Sequence, residues 1–231
     1  MVPKEHHLPV TRTARYWTTG PTDDPREVWF VLHGYKQLAR RFLRRFESID
    51  DGGRLIVAPE ALSRFYVSAE EGRHGAASLV GATWMTREDR DHEIRDYVGY
   101  LDALSARVLG DLSAPPPGGV TVLGFSQGVA TATRWVVHGR TRPQRLVLWG
   151  DFMPPDLDLD AARSVLGSIP MTLVRGRSDR ALSPELASGE AERLQAAGLQ
   201  PELIRYEGGH DIDGDTLRRI AAAADQGRSA T

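Results

Sequence analysis

The sequence predicts an α/β fold, with a mainly parallel central sheet of about seven strands and helices on both faces. Short apolar runs alternate along the chain with longer stretches of helical periodicity, which is typical of a sheet covered by helices. The middle runs are continuously apolar, so we expect strands that are buried on both sides and parallel. A chain of 231 residues is long enough for one sizeable core, and we expect residues 1–231 to form a single domain.

The strand candidates are apolar runs that have Gly, Pro, Asp or Glu at or near their ends. A weaker strand candidate precedes them in the chain. In chain order they are ARYWTT (weaker), EVWFVLHG, RLIVAPE, GVTVLGF, QRLVLWGD, MTLVRGRSD and PELIRYEGG.

Helices are expected between these runs. The apolar positions of 38–49 recur at helical spacing, with arginines on the opposite face. Thr86 and Asp89 have the spacing of a capping box, which predicts the start of a long helix that continues to Val108. The Pro/Gly-rich stretch 109–119 follows and is interpreted as a surface loop, because strands of one series lie on both sides of it.

Two more helices are expected near the carboxyl terminus. Ser183 and Pro184 resemble an N-cap and a first-turn proline, which predicts a helix that ends near Gly198. The last helix is expected to follow His210.

The segment 61–85 does not fit this alternation. It is mixed in polarity, rich in glycine and poorly periodic, which predicts an irregular excursion that covers a site. Phe65, Tyr66, Trp84 and Met85 are its candidate substrate-binding residues, although scattered aromatic residues are at least as often part of a core.

A serine between two glycines is the candidate nucleophile. Gly124, Ser126 and Gly128 fit the pattern G-x-S-x-G, at the point where an apolar run changes into helical periodicity. A serine that merely caps the helix is the alternative interpretation of the pentapeptide.

A histidine base and a carboxylate are expected downstream of such a serine. Asp179 ends a strand candidate 53 residues after Ser126, and His210 follows the next strand candidate 31 residues later. Both lie at strand ends, where open α/β sheets bind ligands. The competing acids are Asp151, Asp156, Asp158, Asp160, Asp211 and Asp213.

Two backbone N–H groups are candidates for an oxyanion hole, which acyl transfer needs for its tetrahedral intermediate. Gln127 supplies the N–H directly after the serine, at a helix start where amides lack partners within the helix. Tyr35 supplies the second, in the loop that begins with His33 and Gly34. A polar strand end with a turn glycine is the alternative interpretation of this His-Gly pair.

Composition excludes several function classes. The net charge of −2 gives no general attraction for nucleic acid, and no run is long enough for a membrane span. The chain has no cysteine, so disulfides, thiolate metal sites and a cysteine nucleophile are excluded. His6 and His7 form a terminal pair without a partner at metal-site spacing, so we expect no metal and no cofactor. Cytoplasmic residence is expected, since no signal-peptide segment occurs at the amino terminus.

Five short motifs in order resemble the α/β-hydrolase superfamily of serine hydrolases, and most closely the phospholipase/carboxylesterase group that includes acyl-protein thioesterases. They are VLHGY at 31–35, VAPE at 57–60, GFSQG at 124–128, RGRSD at 175–179 and GGHDI at 208–212.

The resemblance implies an α/β-hydrolase fold, a triad of Ser126, His210 and Asp179, and an oxyanion hole at Tyr35 and Gln127. It also implies a cofactor-free carboxylesterase that acts on small acyl esters of short or medium chain length. Thioesterase, lysophospholipase and peptidase activities stay open as alternatives, and so does a non-catalytic ligand-binding protein on the same fold. A homodimer is also left open.

Overall fold

A computed structural model describes residues 2–67 and 75–226 and shows two sheets with helices around them. The strands in the described ranges are β1 (Tyr16–Thr19), β2 (Glu27–Leu32), β3 (Arg54–Pro59), β4 (Ser63–Tyr66), β5 (Val80–Thr83), β6 (Val120–Phe125), β7 (Arg145–Trp149), β8 (Met171–Gly176) and β9 (Glu202–Tyr206). The helices are α1 (Ala39–Leu43), α2 (Arg90–Gly110), α3 (Gln127–His138), α4 (Leu159–Leu166), α5 (Pro184–Ala196) and α6 (Gly214–Gln226).

The large sheet confirms the predicted fold class. Within the described residues it has seven strands in the order β1-β3-β2-β6-β7-β8-β9. Every neighbouring pair is parallel except β1 with β3, where Tyr16 lies opposite Pro59. All the predicted strand candidates are present, and the weaker one forms the antiparallel edge. Strand β6 lies in the middle of the sheet, so the loop after it opens at the centre of the carboxyl edge.

Apolar side chains pack on both faces of this sheet. Strand β2 is fully buried: Phe30 points to the layer that contains α2, α3, α4 and α5, and Trp29 points to the layer that contains α1 and α6. Because successive side chains of a strand point to opposite faces, a strand covered on both sides must be apolar throughout. This is the reason why the continuous apolar runs predict parallel strands correctly.

Two predicted helices differ from the structure. The helical pattern of 38–49 forms the short helix α1 and then a 3-10 helix, Arg44–Ile49. Helix α2 begins at Arg90 after Asp89, whose side chain makes no capping bond, so the capping box of Thr86 and Asp89 is wrong. The carboxylate of Glu93 instead accepts the Thr86 N–H at 2.6 Å.

Helix α4 was not expected from the sequence. Asp158 is its N-cap and accepts the Ala161 N–H at 3.0 Å, and Asp160 lies in its first turn. Two of the competing acids therefore belong to the start of a helix, where carboxylates are stabilised by the helix dipole and the free amides.

The segment 61–85 is more regular than expected. Strands β4 and β5 form a separate antiparallel pair, with Ser63 opposite Thr83 and Tyr66 opposite Val80, so an irregular excursion is the wrong description of its ends. Their pairing was hard to predict because glycine and polar residues interrupt any alternation. Residues 68–74 of the same segment lie outside the described part of the chain.

Among the described residues, none of the helices has both the length and the apolar character that crossing a membrane would require.

Candidate active site

Ser126 occupies a strained turn between β6 and α3. Its backbone has φ 53° and ψ −124°, a region that costs a non-glycine residue energy and is found mostly at functional sites. The Ser126 N–H donates to the Trp149 carbonyl at 2.9 Å, which holds the turn against β7. Its hydroxyl makes no capping bond to α3, so the interpretation of Ser126 as a simple helix cap is wrong.

The two flanking glycines allow backbones to approach closely. A Cβ atom at Gly124 would lie 2.2 Å from the Gly128 carbonyl oxygen, and one at Gly128 would lie 2.2 Å from the Leu32 carbonyl oxygen. Both distances are far below van der Waals contact. The glycines are therefore required because helix α3 begins directly against β6 and β2, which brings the serine to the loop of residues 33–37. We call it the oxyanion loop because it carries the predicted donor Tyr35.

His210 and Asp179 form a hydrogen-bonded pair. The His210 Nδ1 lies 2.7 Å from Asp179 Oδ2, and the Asp179 side chain is almost fully buried. The Ala181 N–H donates to the other oxygen of this carboxylate at 2.9 Å. Because a carboxylate only accepts hydrogen bonds, Nδ1 carries the proton and Nε2 is free to act as a base.

Five of the six competing acids have other contacts, and the sixth, Asp160, lies in the first turn of α4. Asp151 accepts the Phe152 N–H, Asp156 pairs with Arg134, and Asp211 pairs with Arg45. Asp213 accepts the Thr216 N–H and Asp158 caps α4.

His210 packs at the carboxyl edge of β6 and β7, against the residue before Ser126. The His210 ring packs on Phe125 with the ring centres 5.0 Å apart. Its Cε1 lies 3.4 Å from the place that a Cβ of Gly150 would occupy. Among the described residues, no hydrogen bond joins the Ser126 hydroxyl to His210. In unliganded sites such bonds are often long and shorten when substrate binds.

The two predicted oxyanion donors lie beside the serine and lack acceptors. Neither the Tyr35 N–H nor the Gln127 N–H has a hydrogen-bond partner within the described residues. The Gly34 N–H is used by the side-chain oxygen of Gln37 at 2.8 Å. A Cβ atom at Gly34 would lie 3.0 Å from the Ser126 Cβ, so the loop and the nucleophile are in direct contact.

His33 orients the peptide that carries the Tyr35 N–H. Its Nδ1 donates to the Gly34 carbonyl at 2.8 Å, and its Nε2 accepts the Ala61 N–H at 3.1 Å. Fixing this carbonyl also fixes the N–H on the opposite side of the same planar peptide. Burial is the largest effect on His33 and lowers its pKa from 6.5 to about 4. The imidazole is therefore neutral at neutral pH, as both hydrogen bonds require.

The Gln127 side chain joins the other oxyanion donor to the strand β5. Its Oε1 accepts the Trp84 N–H at 3.1 Å, and its Nε2 donates to the Met85 carbonyl at 2.9 Å. The Thr83 hydroxyl lies 2.9 Å from the same Nε2. Sequence reasoning assigned a role to the Gln127 backbone only, because spacing does not show where an amide side chain bonds.

Strand β5 also binds the oxyanion loop directly. The Lys36 N–H donates to the Ala82 carbonyl at 3.0 Å, and the Ala82 N–H donates to the Gln37 carbonyl at 3.2 Å. A Cβ at Gly81 would lie 2.6 Å from the Lys36 carbonyl oxygen, so only glycine permits this approach.

The candidate substrate-binding residues have different surroundings. Trp84 is buried, and its Nε1 donates to the His33 carbonyl at 2.8 Å. Met85 is half-buried, packs against the core, and its sulfur accepts a bond from Arg134. Phe65 stacks on Tyr35 with ring centres 5.3 Å apart, whereas Tyr66 is exposed. Trp84 therefore supports the oxyanion loop, and the Tyr35–Phe65 pair forms a wall beside it.

Asp151, one of the competing acids, is electrostatically coupled to His210, and Phe152, which was not predicted, follows it in the chain. Burial raises the pKa of the Asp151 carboxyl, which also experiences the charges of His210 and Asp179. The Phe152 ring lies under the Arg175 guanidinium at 4.6 Å. The signal for both was their position at the end of β7, the strand next to the nucleophile strand.

Several solved structures resemble this chain in fold, although no protein-family model and no curated protein matches the sequence. Esterase PE8 is 18% identical, with a TM-score of 0.62 over 93% of this chain and 99% of its own. Acyl-protein thioesterase 2 of Zea mays is 17% identical, with a TM-score of 0.66 and the same shares covered. The Bacillus cereus carboxylesterase is 14% identical, with a TM-score of 0.61 over 92% of this chain and 94% of its own. These similarities show that the chain has the α/β-hydrolase fold.

Proposed function

We propose that the protein is a serine hydrolase that cleaves small carboxylic esters through an acyl-enzyme. The observation that carries this proposal is the strained backbone of Ser126, whose hydroxyl makes no capping bond to α3 and whose Cβ lies against the Gly34 loop. In the described part of the chain the Tyr35 and Gln127 amides beside this turn have no hydrogen-bond partner. A strained conformation persists only where the surrounding structure enforces it. The folds of esterases and of an acyl-protein thioesterase support the same class of reaction.

The proposed reaction has two acyl transfers. His210 Nε2 removes the Ser126 hydroxyl proton as the oxygen attacks the ester carbonyl carbon, and the Asp179 carboxylate stabilises the imidazolium that forms. The Tyr35 and Gln127 amides donate to the oxyanion. The tetrahedral intermediate then expels the alcohol, which takes the proton from His210. Water repeats the attack on the acyl-enzyme and releases the carboxylic acid and free Ser126.

Short or medium acyl chains are the proposed substrates. Tyr35 and Phe65 stack beside the oxyanion donors and restrict the space there. An acyl thioester would pass through the same intermediates with a thiolate as the leaving group, and the similarity to an acyl-protein thioesterase favours testing it.

The experiment compares turnover of p-nitrophenyl acetate, butyrate and octanoate, and of butyryl thiocholine, by the wild type and its variants. Ser126→Ala and His210→Ala should each lower kcat by at least about 10³-fold, and the double variant should lose no more, because the pair acts as a unit. Asp179→Asn should lower kcat by about 10³-fold or more. Asp151→Asn is the matched control and should keep most of the activity, because Asp151 makes no hydrogen bond to His210.

Circular dichroism confirms that each variant is folded. Wild-type turnover by folded Ser126→Ala would disprove the proposal. Failure of a fluorophosphonate to label the wild type at Ser126 would favour the non-catalytic binding protein instead, since labelling requires an activated serine.

A further inference from the structure

The loop that carries His210 has no regular structure to fix its backbone. Residues 207–213, which connect β9 to α6, form neither helix nor strand, and Gly208 and Gly209 directly precede the histidine. Glycine restricts the backbone less than any other residue, so these two positions alone would allow the His210 peptide many orientations. Contacts from neighbouring elements therefore have to determine where the imidazole points.

The hydroxyl group of Tyr206, the last residue of β9, reaches the carbonyl groups on both sides of His210. Its oxygen lies 2.6 Å from the Gly209 carbonyl oxygen and 2.5 Å from the Asp211 carbonyl oxygen. The Gly209 carbonyl belongs to the same planar peptide as the His210 N–H. The two contacts therefore hold the backbone immediately before and immediately after His210.

One phenolic proton is enough for these two carbonyls, because each has a second donor. The Trp149 Nε1 donates to the Asp211 carbonyl at 2.9 Å, and the Asp211 N–H donates to the Gly209 carbonyl at 3.1 Å. A tyrosine hydroxyl has a single proton to donate, and it can serve either carbonyl without leaving the other unsatisfied.

The Tyr206 side chain is itself held firmly. It is buried and packs on the fully buried Trp149, with ring centres 5.6 Å apart. Burial raises the pKa of the Tyr206 hydroxyl, so this group stays protonated and able to donate at neutral pH. A donor on a buried ring at the end of a strand is a rigid support for the loop.

We propose that Tyr206 is a positioning residue for His210, whose hydroxyl holds the two flanking carbonyls so that the imidazole keeps its hydrogen bond to Asp179. That bond measures 2.7 Å, and it depends on the backbone that carries the ring. The inference rests on the proposed function, in which His210 is the base. Tyr206 acts through His210 and exchanges no proton with the substrate.

The experiment compares the turnover of p-nitrophenyl butyrate by the wild type and Tyr206→Phe. The variant keeps the ring and loses the hydroxyl, so kcat should fall by about 10–100-fold with little change in KM, because small displacements of a catalytic group are costly. Tyr100→Phe is the matched control. The Tyr100 hydroxyl also donates to a backbone carbonyl, that of Arg15 at 3.1 Å, in a contact between α2 and the segment before β1. Tyr100→Phe should keep the wild-type kcat.

Proton NMR gives a second measurement that needs no turnover. The wild type should show a low-field resonance from the His210 Nδ1 proton that Asp179 holds, and His210→Ala should lack it, which assigns the signal. Tyr206→Phe should broaden or lose this resonance, because a displaced imidazole exchanges its proton with water more rapidly. Tyr100→Phe should keep it. Urea unfolding shows that both tyrosine variants are folded under the assay conditions.

An unchanged kcat or an unchanged resonance in Tyr206→Phe would overturn the proposal. An equal loss of kcat in Tyr100→Phe would also overturn it, since the effect would then follow from general destabilisation. Absence of the resonance from the wild type would show that His210 is not held. If the wild type neither hydrolyses the ester nor reacts with a fluorophosphonate, the proposed function fails, and the resonance alone decides whether Tyr206 positions His210.

Discussion

Replacing His33 with asparagine should remove a specific part of the acid sensitivity of this protein. Buried His33 is neutral, donates from Nδ1 to Gly34 and accepts at Nε2 from Ala61. Protonation would add a hydrogen at Nε2 that points at the Ala61 N–H, so donor would face donor. An asparagine side chain does not titrate, and its amide can still donate to the Gly34 carbonyl, so His33→Asn separates the charge from the hydrogen bond.

The magnitude follows from the lowered pKa of His33. Its pKa falls from 6.5 in the unfolded chain to about 4 in the folded protein, which corresponds to about 3 kcal/mol. Because the folded pKa is lower, the unfolded chain binds more protons between these values, so stability is complete above pH 6.5 and is lost as the pH falls toward 4. Between pH 7 and pH 5, the titration of His33 should lower the unfolding free energy of the wild type by about 2 kcal/mol.

Urea unfolding at pH 7 and pH 5, followed by tryptophan fluorescence, measures this loss. At pH 7 the unfolding free energy of His33→Asn should be about 1–3 kcal/mol lower than that of the wild type, because the Ala61 N–H loses its acceptor. At pH 5 this difference between the two proteins should be smaller by about 2 kcal/mol, because only the wild type loses stability through protonation of His33. His138→Asn is the control, since His138 is exposed on α3, and it should keep the wild-type dependence on pH. Parallel curves for the wild type and His33→Asn would refute a neutral buried His33.

Two further substitutions test the turn and its support. Gln127→Leu removes the side-chain bonds to Trp84 and Met85 and should lower kcat by about 10–100-fold with little change in KM, because small displacements of a catalytic group are costly; an unchanged kcat on p-nitrophenyl butyrate would contradict this. Gly128→Ala should lower the urea unfolding free energy by about 3 kcal/mol, since its Cβ would meet a backbone oxygen at 2.2 Å. Gly99 lies in open space on α2, so Gly99→Ala should raise the urea unfolding free energy by about 1 kcal/mol. Similar changes in Gly128→Ala and Gly99→Ala would contradict the argument that Gly128 is required by a close backbone approach.

The sequence was sufficient for the sheet and for the pairing of Asp179 with His210, because both depend on local patterns. Continuous apolar runs predict parallel strands, and the candidate nucleophile, acid and base follow strand ends in a fixed order. Asp179 and His210 are hydrogen-bonded as predicted. The long helix was also predicted, although its start lies at Arg90, because the pattern of its buried face is regular and its first turn is polar.

The sequence was not sufficient for contacts between distant segments. Trp84 was assigned to the substrate pocket, yet it is buried and bonded to His33, since an aromatic residue in a polar segment gives no sign of its direction. The pairing of β4 with β5 was missed because both strands are only four residues long and β5 contains a glycine. His7 was considered terminal and isolated, although folding brings it to Asp89.

The β4–β5 pair and the two proposed oxyanion donors are joined by hydrogen bonds into one connected structure. Strand β5 is bonded to Lys36 and Gln37 on one side, and the residues that follow it are bonded to the Gln127 side chain on the other. A change that displaces this pair therefore moves both oxyanion donors together with the Tyr35–Phe65 wall. In the proposed mechanism the donors act on the transition state and the wall acts on the bound substrate, so altered acyl preference should appear in kcat as well as in KM.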